Sequence, residues 1–213
     1  MRRLPVYLLL DISGSMSGEP IEQVKNGVQT LVAGLRQDPY ALETAYLGVI
    51  TFSSTAQEVV PLTELTAFQA PSLQAGGGTS LGAGLSKLAE CALRDVAKST
   101  ATQKGDWRPM VFLMTDGKPT DDWLAGLARF KHEKWGVVVG CAIDGGDTDV
   151  LRQIAGEGSV VQLNTSDSAA MGAFFKWVTA SVSSSSKSIE QGGKEVSGLH
   201  ELPTPPPEIK VVF

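Results

Sequence analysis

Hydrophobic positions along the chain fall into short unbroken runs separated by longer segments of helical period. Residues 6–10 form a continuous apolar run that ends in Asp11. A run of that length between turn signals suits a strand buried on both faces, as in a parallel sheet. Over residues 20–35 the period changes: Ile21, Val24, Val28, Leu31, Val32 and Leu35 share one helical face. Pro20 stands near the first helical position, where its missing N–H costs nothing. Residues 46–52 are the next strand, and 57–62 are expected to pair with it as an antiparallel edge across a turn at 53–56. Gly76, Gly77 and Gly78 open a second helix whose inner face is marked by Leu81, Leu85, Leu88, Ala92 and Val96. The pattern then alternates: strand 110–114, helix 121–135, strand 137–143, short helix 149–155, strand 160–163 and a final helix over 168–182.

This order, β-α-β-β-α-β-α-β-α-β-α, predicts an α/β fold: a doubly wound, mostly parallel sheet with one antiparallel edge strand, covered by helices on both faces in three layers. In such sheets ligands bind beyond the carboxyl ends of the strands, near the switch in strand order. Three of the parallel strands end there in an acid, Asp11, Asp116 and Asp144. The C-terminal part has a different composition. Residues 181–188 are nearly all Ser; Gly192, Gly193 and Gly198 follow, then Pro203, Pro205, Pro206 and Pro207. Such a stretch buries too little apolar surface to offset its chain entropy. The expected organisation is one domain over 1–185 and a flexible Ser/Gly/Pro-rich tail over 186–213, polyproline-like near its end. Residues 209–213 are apolar enough to dock. Ser183 to Ser186, and Thr204 before Pro205, are either a solvated linker or phosphate acceptors.

Composition narrows the function classes. A chain of 213 residues, 42% hydrophobic and 19% charged, has room for one domain with a substantial core. A net charge of -5 argues against a broad nucleic-acid surface, which needs clustered Lys and Arg. Arg2 and Arg3 before residues 4–10 faintly resemble a signal peptide, but the run is short, Pro5 interrupts it and Asp11 ends it. No stretch approaches the roughly 20 apolar residues of a membrane span. Cys91 and Cys141 each lie in an apolar run without a ligand neighbour, so both are read as small buried hydrophobes in a reducing compartment. The expectation is a cytoplasmic protein that binds neither membrane nor nucleic acid.

The sharpest motif is Asp11-Ile12-Ser13-Gly14-Ser15, between a buried strand and a helix. In a turn there, side chains two and four residues apart converge, and one carboxylate with two hydroxyls makes a hard oxygen set suited to Mg²⁺ or Mn²⁺. Thr79, after three glycines, and Asp116, past the strand 110–114, offer two more oxygen groups from separate loops. A helix-capping turn is the plain alternative for Asp11, Ser13 and Ser15 alone.

These five positions together resemble the von Willebrand factor A (VWA) family with a metal-ion-dependent adhesion site, or MIDAS, whose pattern is Asp-x-Ser-x-Ser, a distant Thr and a distant Asp before Gly. Asp11, Ser13, Ser15, Thr79 and Asp116 match it in chain order, with Gly117 following. The resemblance spans about residues 4–182. It implies that the serines and Thr79 ligate the ion directly, that the carboxylates act largely through water, and that a partner protein's Asp or Glu fills the remaining position. Residues 9–16, 18–21, 76–82 and 114–121 look like those of the bacterial tellurium-resistance VWA proteins. That subgroup implies a stress-signalling assembly with a kinase and a PP2C-type phosphatase.

Enzyme readings fare worse. An aspartyl phosphotransferase or phosphatase would use the strand-end Asp11 as nucleophile and Lys118 as a loop-borne base, but it needs a second acid two residues on, where Ser13 stands, and no Lys follows Gly76 to Thr79 at the spacing of a phosphate cradle. Ser13 and Ser15 lack a hydrolase elbow. His132 lies among charged neighbours and His200 in the tail, so neither is a plausible base. The chain is therefore expected not to be an enzyme. Trp135 and Trp177 read as core, while Trp123 is equally suited to the core and to the rim of the metal face.

Overall fold

In the computed structural model, which describes residues 2–165, 168–191 and 198–212, one sheet organises the chain. Its strands are β1 (Leu4–Asp11), β2 (Ala45–Phe52), β3 (Ala56–Glu64), β4 (Met110–Thr115), β5 (Val137–Ile143), β6 (Val160–Leu163) and β7 (Lys210–Val212). They lie in the order β3-β2-β1-β4-β5-β6-β7. β1 is central, parallel to β2 on one side (Leu4 opposite Ala45) and to β4 on the other (Val6 opposite Met110). All eight of its residues are buried.

The two-residue alternation of β1 sorts its side chains between two cores. Leu4, Val6, Leu8 and Leu10 pack with Val24, Val28 and Leu31 of α1 (Glu19–Arg36) and with Phe174, Phe175 and Val178 of α6 (Ser168–Glu190). Tyr7 and Leu9 face the other way, against Leu85 and Leu88 of α3 (Leu81–Asp95), Phe130 of α4 (Trp123–His132) and Leu151 of α5 (Thr148–Ala155). The α/β three-layer architecture follows, and each fully buried Leu or Phe contributes roughly 1.5–3 kcal/mol.

α3 and α4 meet backbone to backbone: a Cβ on Gly126 would stand 2.2 Å from the Gly82 carbonyl oxygen. Asp121, just before α4, caps α3 across this contact. Its two carboxylate oxygens accept from the amides of Gly82 (3.1 Å) and Ala83 (3.0 Å), two of the donors left open at a helix start. Ser80, the residue at the cap position itself, makes no side-chain cap. This arrangement fixes the loop before α3 to the loop after β4.

Three features differ from expectation. A short helix, α2 (Pro39–Thr44), precedes β2; Asp38 caps it by accepting from the amides of Tyr40 (2.9 Å) and Ala41 (3.1 Å). The boundary expected at 185/186 falls inside α6. Ser181 and Ser185 are buried there, each donating 2.8 Å to the carbonyl four residues back, so small hydroxyl residues stay helical with their polar groups satisfied. Within 183–186, Ser184 is exposed and Ser183 half-buried, while Ser185 and Ser186 are buried. Third, β7 pairs antiparallel with β6 (Val160 opposite Val212), so the sheet has two antiparallel edges where one was expected. Leu202 and Ile209 sink into the α1/α6 core, and the Trp177 indole donates 2.7 Å to the Pro203 carbonyl. Widely spaced apolar anchors thus hold a segment whose average composition reads as tail. Gly192, Gly193 and Phe213 lie outside the described residues.

Candidate metal centre

β1 and β4 are neighbours whose following connections lead to opposite sides of the sheet, which makes the gap beyond their carboxyl ends the switch point. Asp11 is the last residue of β1 and Thr115 the last of β4. Asp11 is 1% exposed, and both of its oxygens are engaged. Oδ1 accepts from the Ser13 amide at 2.8 Å; Oδ2 accepts from the Thr115 hydroxyl at 2.6 Å. The Thr115 oxygen in turn accepts from the Gly117 amide at 3.3 Å.

From there oxygens lead outward. The Ser13 and Ser15 hydroxyls are 3.1 Å apart, on either side of Gly14 in the single 3₁₀ turn Gly14–Met16. The Ser15 hydroxyl donates to Asp116 Oδ1 at 2.8 Å. Ser13 is buried and Ser15 exposed, so the string runs from the interior to the surface.

A third loop closes over this turn. The Gly76 amide donates to the Ile12 carbonyl (2.8 Å) and the Gly14 amide to the Gly77 carbonyl (3.0 Å). Gly77 has φ 84, and a Cβ there would lie 2.5 Å from the Ser54 hydroxyl, so this position takes glycine for both reasons. Ser54 Oγ accepts from the Gly78 amide at 2.9 Å. Thr79 is locked to Thr120 by a reciprocal pair: the Thr79 amide donates to Thr120 Oγ1 (3.0 Å) and the Thr120 amide to the Thr79 carbonyl (2.9 Å). The Thr79 hydroxyl stands 3.3 Å from where a Gly117 Cβ would be, against the turn that carries Asp116.

Asp11, Ser13, Ser15 and Asp116 are therefore joined directly, and Thr79 adjoins them through Gly117. Asp144, the third acid at a strand end, is employed elsewhere. It has φ 49, and its carboxylate accepts from the Thr165 amide at 2.7 Å and from the Thr165 hydroxyl, tying β5 to the loop after β6. The roles of Thr115, Thr120, Asp121 and Ser54 as hydrogen-bond partners that hold the site were not read from sequence. Thr115 at the last position of an apolar strand before Asp-Gly is the one that carried a signal.

Burial holds the Asp11 carboxyl above the usual carboxylate range; the bonds from Ser13 and Thr115 pull it back, and the nearby Asp116 charge adds to the rise. Nothing in the described residues groups three or more His, Cys, Asp or Glu around one point, so the cluster is rich in hydroxyls and poor in charge. Cys91 and Cys141 are free and buried. His132 is 88% exposed at its side chain. Trp123 packs on the α3-side core, and Trp177 is buried on the other.

Residues 6–177 match the von Willebrand factor type A domain. The chain belongs to that family. A VWA domain is typically a metal-dependent protein-binding module and usually non-catalytic, and its MIDAS generally binds a partner carboxylate. The uncharacterized protein sll0103 of Synechocystis is 34% identical over 124 residues, covering 55% of this VWA chain and 26% of that protein. The chain thus matches only about a quarter of that relative's length. Among solved structures, the chain is similar to the VWA protein of Catenulispora acidiphila (19% identity, TM-score 0.64, 85% of this chain and 43% of that one). It is also similar to proximal thread matrix protein 1 of the mussel byssus (23% identity, TM-score 0.60, 84% and 48%). A form of the mussel protein with a zinc-occupied MIDAS motif superposes with a TM-score of 0.58 at 20% identity, over 84% and 46%. These likenesses show the fold, with a mixed, mostly parallel seven-stranded sheet. No helix among the described residues is long and apolar enough to cross a membrane.

Proposed function

We propose that this VWA domain is a metal-dependent protein-interaction module in which Asp11, Ser13, Ser15, Thr79 and Asp116 hold one Mg²⁺ or Mn²⁺ ion and a partner protein supplies an Asp or Glu carboxylate. The observation that carries this reading is the hydrogen-bonded string from the buried Asp11 carboxylate through Ser13 and Ser15 to Asp116, with Thr79 beside it. Every donor is a hard oxygen, which suits a hard divalent cation. Asp11 already bonds through both oxygens, so it is suited to steadying bound water and the Ser13 turn; the hydroxyls are the groups at hand for direct contact. Two carboxylates held partly at one remove leave the ion electropositive, and an incoming carboxylate at the protein surface meets that charge in a medium less screening than bulk water.

The same geometry disfavours the aspartyl phosphotransferase. Its nucleophile would be Asp11, which is 1% exposed with both oxygens occupied, and Ser13 stands where the acid/base would be. The likeness of residues 9–16, 76–82 and 114–121 to the tellurium-resistance VWA proteins supports a finer reading: a cytoplasmic signalling assembly whose other members are a kinase and a PP2C-type phosphatase. The test is co-purification of those two proteins on the immobilised chain in Mg²⁺, in EDTA and with Asp11→Ala. Capture in Mg²⁺ alone is expected; capture indifferent to both EDTA and the substitution refutes the metal-dependent reading.

A further inference from the structure

The end of the sheet opposite the strand-end oxygens carries a cleft of about 650 Å³. It lies where α3 and α4 end and where β4 and β5 begin, about 20 Å from the Asp11 cluster by the length of a six-residue strand. Its apolar lining includes Leu93, Val96, Trp107 and Trp135. Leu93 is 54% exposed, one of the few large hydrophobic side chains turned to solvent. Trp135 is fixed by stacking on Phe130 (4.6 Å between centroids) and by donating 2.7 Å to the Phe130 carbonyl.

Around this lining Lys and Arg outnumber Asp and Glu, although the protein as a whole is acidic. Arg2, Lys98, Arg108 and Lys134 line the cleft with His132; the acids lining it are Asp106 and Glu133. Asp106 is paired with Arg3 at 2.6 Å; Glu133 lies 3.7 Å from His132, which offsets it only when protonated, so it counts as an acid of the rim. Lys98 and Lys134 are exposed and make no ion pair among the described residues. The Arg2 guanidinium is held 3.7 Å over the Trp107 ring, with Nε donating to the Gly105 carbonyl at 2.5 Å. Basic residues in a helix's last turn ordinarily answer its dipole. That explains His132 in α4, but Arg2, Lys98, Arg108 and Lys134 lie outside the helices.

The cleft does not stop at α3's end. A second hollow of about 320 Å³, lined by Ser86, Ala89, Glu90 and Arg129, shares Leu93, His132 and Glu133 with it, and Glu90 is paired there with Lys87 at 3.0 Å. From Ser86 to Val96 along α3 is about 15 Å, enough for four or five residues of extended chain. An elongated apolar trough with a basic mouth fits a peptide with a hydrophobic centre and acidic flanks better than it fits a compact anion. We propose that this cleft is a second docking site, for an acidic segment of a partner protein that seats an aromatic or aliphatic side chain over Leu93.

The test titrates the full chain, in EDTA so that no metal contact contributes, into the fluorescein-labelled peptide Glu-Glu-Asp-Trp-Leu-Glu-Asp and follows anisotropy. Saturable binding is expected, weakened about tenfold or more by Lys98→Glu with Lys134→Glu, and similarly when the central Trp-Leu becomes Ser-Ser. The Ser-Ser peptide is measured on the unaltered protein, so a variant that fails to fold leaves the test standing. No saturation up to about 1 mM protein, or an affinity unmoved by both changes, overturns the proposal. If ATP displaces the peptide and the Ser-Ser version binds equally well, a small anion is the occupant and the proposal is overturned in that way. Neither result bears on the Asp11 cluster, which EDTA leaves out.

Discussion

Thr115→Val removes one atom's chemistry from the centre of the site while nearly preserving shape. The Thr115 hydroxyl donates 2.6 Å to Asp11 Oδ2, and both residues are buried. A hydrogen bond to an ionised group contributes about 1.5–3 kcal/mol, against roughly 0.8 kcal/mol returned by the added methyl, so the metal-free protein is expected to lose about 1–2 kcal/mol. For a domain of this size that is a fall in Tm of about 2–8 °C. Because the bond favours the charged carboxylate, its loss raises the Asp11 pKa further above the usual range. With the folded value raised, the folded state binds more protons than the unfolded one between the two values, so metal-free stability falls as pH rises through that window. The fall is expected to be larger in the variant, and the cost of the substitution larger at pH 7 than at pH 4. Mg²⁺ affinity, read by calorimetry, should weaken about 10–100-fold, as when the hydrogen-bond partner of a metal-site group is lost. A Tm and an Mg²⁺ affinity both equal to those of the parent would refute the claim that Thr115 holds Asp11 for the ion.

Further outcomes follow from the same geometry. Gly126→Ala forces a Cβ to 2.2 Å from the Gly82 carbonyl, backbone that cannot swing aside; urea unfolding should show a loss of about 1–3 kcal/mol. Burial alone would raise the Asp106 carboxyl, but the bonds from Arg3 and the Ala97 amide outweigh it and hold the group below the usual range. Its contribution is therefore present above the ordinary carboxylate value and lost as pH falls through the depressed one, and Arg3→Leu should lessen the acid-side loss in a pH series of Tm values. Burial, with the Glu58 charge adding to it, pushes the Cys91 thiol up to about 12, and burial pushes Cys141 up as well. Iodoacetamide at pH 8 should label neither in the native protein and both in urea, by mass spectrometry. Asp116→Ala should cost divalent-metal affinity at least about tenfold while circular dichroism stays that of the parent, since Asp116 is only half-buried and bonds to exposed Ser15.

The parts of the fold that were legible in the sequence are those with strong period. β1 declares itself because a strand buried on both faces has no polar position before Asp11, and α1 because its apolar residues recur every three to four positions. α2 was missed although Asp38-Pro39 is a cap followed by a first-turn proline; six residues are too few for a periodic stripe. β7 was missed as a strand, although residues 209–213 read as apolar enough to dock, because three residues are too few for an alternating pattern and prolines separate them from the other anchor, Leu202. Asp11, Ser13 and Asp116 share a local motif or a strand end, and these could be read directly. Thr120 and Asp121 act on Thr79 and α3 about forty residues away, through bonds that only the folded chain creates.

A crystal grown with Mn²⁺, with the metal located by its anomalous scattering, tests the central claim most directly. The account predicts one strong peak beyond the ends of β1 and β4, at about 2.0–2.3 Å from the Ser13, Ser15 and Thr79 hydroxyl oxygens, with one coordination position open to solvent or filled by a neighbour's carboxylate. No peak among these oxygens, or a manganese fully enclosed by the chain's own groups, would contradict it.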